Sequence, residues 1–465
     1  MASPLIGRTI RRLRAERTLG QAALATRLGI SPSYLNLIEH DQRPVTASLL
    51  IKLAETLAVD LAALSGNAER QAESHLREVF ADPALGAEPV PDAEIAALAA
   101  ASPAAARAVL ALYRAWRVAR EDAGGLALPS GRRIQLPTEE ARDWFAAHAN
   151  HFPALEDAAE ALGAELAAAP AETNHALAER LRQRHGLTVH VGPLDGALRR
   201  HDPGAKRLDL SETLPRESRG FHLAFQLALL EARGPVETLL ATERPSTPEA
   251  EGLIRIGLLN YLAAALLMPY APYRDAARAL RHDIDALAAR FGVSFEQACQ
   301  RLSSLQRPGA RGLPFFFVVT DPAGNVSKRF SAAGVPFARY GGSCPRWVVH
   351  TALSQPDRLQ VQVARLPDGA TFVCVARVVS QAGPRWGEPA AVHIVALGCD
   401  IAHAGDLVYA DGLDLEGAVV PIGLSCRLCD RQGCRSRAFP PLEHRLALDP
   451  LTTGASPYSF VPKPG

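Results

Sequence analysis

The sequence predicts an α+β multidomain protein: an all-α head, a helical middle, an α+β core, and a mixed or β-rich C-terminal domain carrying a cluster of cysteines. Three observations predict it. Apolar residues in the first sixty-odd positions recur at helical spacing between capping residues; residues 68–178 are alanine-rich with few β-branched side chains; and from position 313 strand-like runs alternate with Gly and Pro. A chain of 465 residues exceeds one ordinary domain. The composition shifts place boundaries at 1–66, 67–180, 181–306 and 307–465.

In the head, Ile6, Ile10 and Leu13 make an apolar stripe with arginines opposite. Residues 20–39 then read as helix, tight turn, helix. Ala25 is small where two helices must approach, and Gly29 supplies a turn that favours positive φ. Ser31 is an N-cap and Pro32 a first-turn residue. Leu24, Leu28, Ile30, Leu35 and Ile38 can share one core. The second helix exposes Ser33, Tyr34 and Asn36 near its N-terminal end, the end that enters the major groove in this motif. With Ser31, these short polar groups can reach base edges, while Gln21 and Arg43 can reach phosphates. A helical protein–protein module would pack the same way. The whole segment, with the helix start at 44–50, resembles the Cro/repressor-type helix-turn-helix family, which implies operator DNA as a partner.

The helical middle, divided by proline-rich breaks at 89–91, 103 and 129–137, is expected to serve as linker and dimerisation region. In the core, 187–191 and 207–210 read as a hairpin, followed by apolar helices over 217–232 and 248–268, the second stopped by Pro269. Residues 275–305 are helical again. Within them 283–305 imitates a second helix-turn-helix, and is read as a structural tail. Strands follow at 315–319, 359–366, 371–379 and 391–397.

The net charge of +1 excludes a global basic field, but residues 1–64 hold eight basic against five acidic side chains. No apolar h-region follows the N-terminal arginines, and the longest uncharged apolar run, 258–268, falls short of the ~18 residues of a span. A cytoplasmic protein is expected, whose thiols stay reduced. All seven cysteines lie after position 298. Cys426, Cys429 and Cys434 form C-x2-C-x4-C, which can grip one metal centre, and Cys399 or Cys344, each after a glycine-containing loop, could be the fourth ligand. Structural zinc and a [4Fe–4S] cluster both use such donors, and Arg427, Arg431, Arg435 and Arg437 would offset thiolate charge. Cys299 and Cys374 are expected in the hydrophobic core.

Residues 221–229 resemble the helix that carries H-E-x-x-H in metallopeptidases related to ImmA and IrrE, and 259–269 resemble a downstream stretch of that family. Two histidines one turn apart would bind zinc there, with glutamate as base. Here Phe225, Gln226 and Leu229 stand at those positions, and Leu258 replaces the acidic third ligand. A degenerate, zincin-like core without its metal follows, and with it a protein that is not a peptidase. His222 is read as a packing residue. The former cleft would either suit a small ligand or be filled as core.

From 313 onward, Lys328–Ser331, 409–414 and 426–441 resemble the C-terminal domain of short-chain fatty-acyl transcriptional regulators, with 307–312 as lead-in. The resemblance covers nearly the whole chain and implies a regulator of propionate, methylcitrate or glyoxylate metabolism. It implies a central region that senses short-chain acyl-CoA and cysteines associated with a [4Fe–4S] cluster. A CoA ligand needs cations for its phosphates and an apolar pocket for its acyl end. Lys206, Arg207 and Arg329 are candidates for the first, and Tyr261, on the helix that once faced the metal, for the second. A homodimer or higher homo-oligomer is expected, since one such head reads a half-site.

Overall fold

The computed structural model describes residues 7–17, 19–40, 42–57, 67–82, 90–124, 137–166, 172–332, 335, 343–381, 386–441, 444–449 and 451–461. Ile6 of the expected stripe, the proline-rich break at 129–136, and Gly341 and Gly342 before Cys344 lie outside them. The chain forms two compact units. One comprises Met1–Ile134, Gly334–Cys344 and Gly423–Gly465; the other comprises Gln135–Ala333 and Pro345–Ile422. Residues 307–465 thus contribute to both.

In the first unit, α1 (Gly7–Glu16), α2 (Gln21–Leu28), α3 (Pro32–Glu39) and α4 (Ala47–Leu57) enclose Ile10, Leu13, Leu24, Leu28, Leu35, Ile38, Leu53 and Leu57. Gly29 ends α2 in the left-handed region (φ 71°), and the Ser31 side chain accepts from the Tyr34 N–H at 3.1 Å to start α3. Three further helices, α5 (Asn67–Phe80), α6 (Asp92–Ala101) and α7 (Pro103–Gly124), pack around Leu76, Val79, Ile95, Leu110 and Tyr113.

The second unit begins with α8 (Pro137–Ala147), α9 (Pro153–Leu166) and α10 (Thr173–His185). A small sheet follows with order β1-β3-β2, formed by β1 (Thr188–Gly192), β2 (Arg199–Asp202) and β3 (Arg207–Ser211). The expected hairpin is corrected here. β1 and β3 run parallel, and β3 instead makes its hairpin with β2, pairing Asp202 with Arg207. The sequence Arg199-Arg200-His201-Asp202 has no apolar residue to announce a strand.

Next come α11 (Arg216–Glu231), α12 (Arg233–Thr242) and α13 (Pro248–Leu267). The last is long and apolar enough by composition to cross a membrane, yet Ile254, Leu258, Leu259, Leu262, Ala263 and Leu266 are buried in the core of this unit. After Pro269 stand α14 (Tyr270–Ala279), α15 (Ile284–Phe291) and α16 (Phe295–Ser303). Gly292 (φ 64°) and the Ser294–Gln297 capping box make α15–α16 a local copy of a helix-turn-helix. Its second helix buries Ala298, Cys299, Arg301 and Leu302 and has no reading face to offer.

A six-stranded sheet completes the unit, with order β5-β4-β8-β7-β6-β9: β4 (Phe316–Thr320), β5 (Val326–Ser331), β6 (Gln360–Arg365), β7 (Thr371–Gln381), β8 (Ala391–Asp400) and β9 (Val419–Pro421). All pairs are antiparallel except β6 with β9. Gly398 sits where a Cβ would meet the Phe316 ring and lie 2.7 Å from the Val373 carbonyl, so β8 passes there only as glycine. Among the described residues the outer strands are β1 and β2 in the small sheet and β5 and β9 in the large one, and Arg142 of α8 donates to the β5 carbonyls of Val326 at 3.1 Å and Ser327 at 3.0 Å. β2 carries Arg199, Arg200 and His201, β5 carries Lys328 and Arg329, and β9 is three residues ending in Pro421.

Candidate functional site

On α3, Ser33 and Asn36 are exposed and Tyr34 is half-buried, with Ser31 exposed at the cap. Gln21, the first residue of α2, donates from Nε2 to Asn36 Oδ1 at 3.2 Å and to Glu39 Oε2 at 3.0 Å. Glu39 is 2 % exposed and also receives a bidentate pair from Arg14 at 2.7 and 3.0 Å. Four side chains from three helices are thereby fixed together. Arg43 lies over the Tyr34 ring at 5.2 Å. All six expected contact residues fall within this head. The Glu39 hub escaped sequence reading, because a glutamate at a helix end reads as solvated.

The peptidase-like helix α11 faces β2. Phe225 and Gln226 are buried, and Leu229 is partly buried against the same core; Leu258 of α13 is wholly buried. The Arg199 guanidinium lies over the Phe225 ring at 3.9 Å. Burial lowers its pKa to about 10, and its Nη1 is buried without a partner. Gln226 Nε2 donates to His201 Nδ1 at 3.2 Å, and its Oε1 is likewise buried and unpaired. His222 is half-buried; desolvation, then the neighbouring Arg199 charge, brings it down to about 4. The face where zinc ligands would stand therefore presents one unpaired donor, one unpaired acceptor, a neutral imidazole and an aromatic ring. An amide there cannot act as a general base.

Of the four residues expected to meet CoA, Arg207, Arg329 and Tyr261 stand on three different elements and Lys206 in the turn before β3. Lys206 precedes β3 with left-handed backbone (φ 48°), and Arg207 on β3 pairs with Asp209 at 2.9 Å. Arg329 on β5 pairs with Glu139 at 3.2 Å. Tyr261 is 7 % exposed, with its hydroxyl donating to Glu156 and lying 3.3 Å from His151 Nδ1. Glu156 and Arg301, both essentially inaccessible, form a bidentate pair at 2.7 and 2.9 Å. Burial pushes Glu156 up, but Arg301 outweighs it and holds the carboxyl below its ordinary value. This cluster joins α9, α13 and α16, and no motif in the sequence announces it.

In the first unit, Cys426, Cys429 and Cys434 lie in one loop, with Gly433 at φ 63° before the last. Cys344 is buried in the same unit. Cys399 is in the other unit, on β8, where desolvation first and nearby Cys374 second raise its thiol. Cys299 and Cys374 are fully buried, and burial raises both thiols, that of Cys374 to about 12. Among the described residues no three His, Cys, Asp or Glu side chains converge closely enough to hold a metal ion.

Three family models match successive stretches of the chain: "Helix-turn-helix" at 10–64, "IrrE N-terminal-like domain" at 182–303, and "Short-chain fatty acyl coenzyme A regulator, C-terminal" at 304–458. The chain is 42 % identical over 459 residues to the propionyl-CoA carboxylase regulator of Cereibacter sphaeroides, covering 98 % of each. It is 39 % identical over 470 residues to the HTH-type transcriptional regulator RamB of Mycobacterium tuberculosis (98 % of this chain, 99 % of RamB). To the regulator PrpR of the same organism it is 41 % identical over 464 residues, covering 97 % of this chain and 95 % of PrpR. A solved structure described as a Mycobacterium tuberculosis transcriptional regulator superposes with a TM-score of 0.67 at 44 % identity, over 70 % of this chain and 99 % of that one. These matches agree with the resemblance read from the sequence.

Proposed function

The chain belongs to the family of short-chain fatty acyl-CoA regulators with a helix-turn-helix head, and from that premise we propose that a short-chain acyl-CoA bound in the peptidase-like region sets its affinity for operator DNA. It is a transcriptional regulator. The observation that carries the ligand reading is the pair of unpaired buried atoms, Arg199 Nη1 and Gln226 Oε1, on the face left by the absent zinc ligands. A buried polar group without a partner costs ~1–3 kcal/mol, which an incoming carbonyl and N–H would relieve. An acyl-CoA offers both, in its thioester and its amides. Lys206, Arg207 and Arg329 are the cations proposed for its phosphates, and Tyr261 stays the proposed aromatic of the acyl end. The same replacement of histidine and glutamate by Phe225, Gln226 and Leu229 supports a regulator without peptidase activity, working in the cytoplasm where DNA and CoA esters meet.

The ligand acts by binding one arrangement of the heads better than another, with two copies of the chain reading two half-sites. The test is to select a binding duplex from random DNA and titrate acetyl-, propionyl- and butyryl-CoA against the complex. The expected coupling is ~5–150-fold in Kd. Operator affinity unchanged by all three esters overturns the reading. Arg199→Leu should abolish the response and leave ligand-free DNA binding intact.

A further inference from the structure

We propose that Glu39 fixes the hydrogen-bond polarity of the reading face, and that Gln21 Oε1 and Asn36 Nδ2 together read one adenine in each half-site. The inference rests on the head being the DNA reader and is independent of the acyl-CoA reading. The chain of constraints starts at a buried group. Glu39 is buried, and its carboxylate receives Arg14 at 2.7 and 3.0 Å. A carboxylate in a bidentate arginine pair accepts hydrogen bonds and donates none. Gln21 reaches Glu39 Oε2 at 3.0 Å, so it must turn its NH2 group toward that oxygen and not its carbonyl. The second Nε2 hydrogen goes to Asn36 at 3.2 Å, so Asn36 must meet it with Oδ1. Two amides that could each have flipped are thereby oriented by one charge. One group of each is left for a ligand. Gln21 has both amide hydrogens committed and keeps Oε1, an acceptor. Asn36 has turned its carbonyl toward α2 and keeps the Nδ2 hydrogens, which have no partner among the described residues. Asn36 is exposed on α3, with Gln21 beside it, half-buried, at the start of α2.

An acceptor beside a donor complements the adenine edge in the major groove, where the N6 amino group donates and N7 accepts. Guanine shows two acceptors there, N7 and O6, and would set one of them against the Gln21 carbonyl. Thymine has O4 and a methyl group and no donor, and cytosine offers its N4 amino group to Gln21 but no acceptor to Asn36 on the same base. A free asparagine makes both bonds to adenine by itself; here its carbonyl is engaged, and Gln21 supplies the acceptor. The same polarity moves Gln21 away from the phosphate contact expected of it, because its remaining carbonyl would face oxygens that also only accept. Glu39 is a positioning residue: it meets no base and acts through the two amides.

The full-length chain selects duplexes from random DNA, with and without propionyl-CoA, and the chosen site is resynthesised with single base analogues for anisotropy. Replacing the read adenine by 7-deazaadenine deletes N7, and replacing it by purine deletes the N6 amino group. Each should weaken binding by the parent, with ~5–150-fold as the range for a bidentate base contact. Asn36→Ala should be indifferent to 7-deazaadenine and still respond to purine, which ties one atom to one residue in a way a structural role does not. Asn36→Asp sets an acceptor where the donor stood; adenine N7 is then repelled, and selection should move to cytosine, whose N4 amino group donates to a carboxylate. Glu39→Gln frees both amides to flip, and the profile at that position should broaden from adenine to include guanine. Should either of these two variants fail to fold or to bind, the analogues, which need only the parent, decide. A parent that selects no duplex under either condition overturns both this proposal and the regulator reading. Three outcomes overturn this proposal alone: a parent indifferent to both analogues at every adenine of its site, an Asn36→Asp chain with the parental profile, or a folded Glu39→Gln chain that selects as sharply as the parent.

Discussion

Replacing Arg301 by methionine keeps much of the side-chain volume and deletes one charge from the centre of the second unit. In the native chain Arg301 donates to both Glu156 oxygens, to Met268 O at 2.9 Å and to Ser304 Oγ at 3.3 Å. The variant leaves Glu156, itself 0 % exposed, with only the Tyr261 hydroxyl and the half-distant His151 ring for company. Breaking one side of a buried pair costs ~3–5 kcal/mol, because a carboxylate is left buried without compensation. The pH dependence gives a second handle. With Arg301 present the folded carboxyl titrates below its ordinary 4.5, so the pair stabilises above that pH and its contribution is lost as pH falls through the folded value. Without Arg301, desolvation lifts the folded carboxyl above 4.5, and the penalty of ionising it grows as pH rises. The gap between parent and Arg301→Met must therefore widen from acid toward neutral pH. Urea unfolding followed by tryptophan fluorescence reads it, since Trp144 stacks on Phe152 at 5.4 Å in this core. Replacing both residues, Glu156→Leu with Arg301→Met, should recover most of the loss. A single-variant loss below ~1 kcal/mol at neutral pH, or a gap that does not change with pH, would refute the reasoning.

Asn36→Ala should weaken specific operator binding by ~1–3 kcal/mol and relax preference at one base position, whereas Arg43→Ala should lower the salt dependence of binding by about one phosphate contact; fluorescence anisotropy across a salt series separates the two. Gly398→Ala should destabilise the second unit by ~1–3 kcal/mol, measured by thermal unfolding, because the added Cβ meets the Phe316 ring and the Val373 carbonyl. His222 should stay neutral down to about 4 in an NMR titration; since its ordinary value is 6.5, it favours the folded chain above that pH and the benefit fades as pH drops from 6.5 toward about 4.

How much of this was legible from residues alone varies with the range of the interaction. The head was readable because its signals are local: Gly29 takes φ 71° and Ser31 caps α3 within three residues. The α+β character of the second unit was readable for the same reason, since strands such as Thr371–Gln381 and Ala391–Asp400 alternate or run apolar. The strand Arg199–Asp202 was missed because its polar sequence gains its form only from β3 and α11. The Glu156–Arg301 pair spans 145 residues, and no spacing rule reaches that far. Arg437 was legible only as one arginine among four near the cysteines; its four backbone acceptors, the carbonyls of Cys426, Phe439, Cys429 and Arg431, needed coordinates.

The edges of the two sheets bear on how copies of this chain can assemble. β2 meets any incoming strand with the exposed Arg200, β5 with the exposed Lys328, and β9 offers three residues closed by Pro421. Cations and proline are what natural sheets use to turn away foreign strands. Strand-to-strand addition at these three edges is therefore disfavoured, both as a route to amyloid-like aggregation and as a way of joining protomers. If two copies pair to read two half-sites, these three edges are poor seams, and a substitution that neutralises Arg200 or Lys328 should show itself first as precipitation on expression rather than as a change in operator affinity.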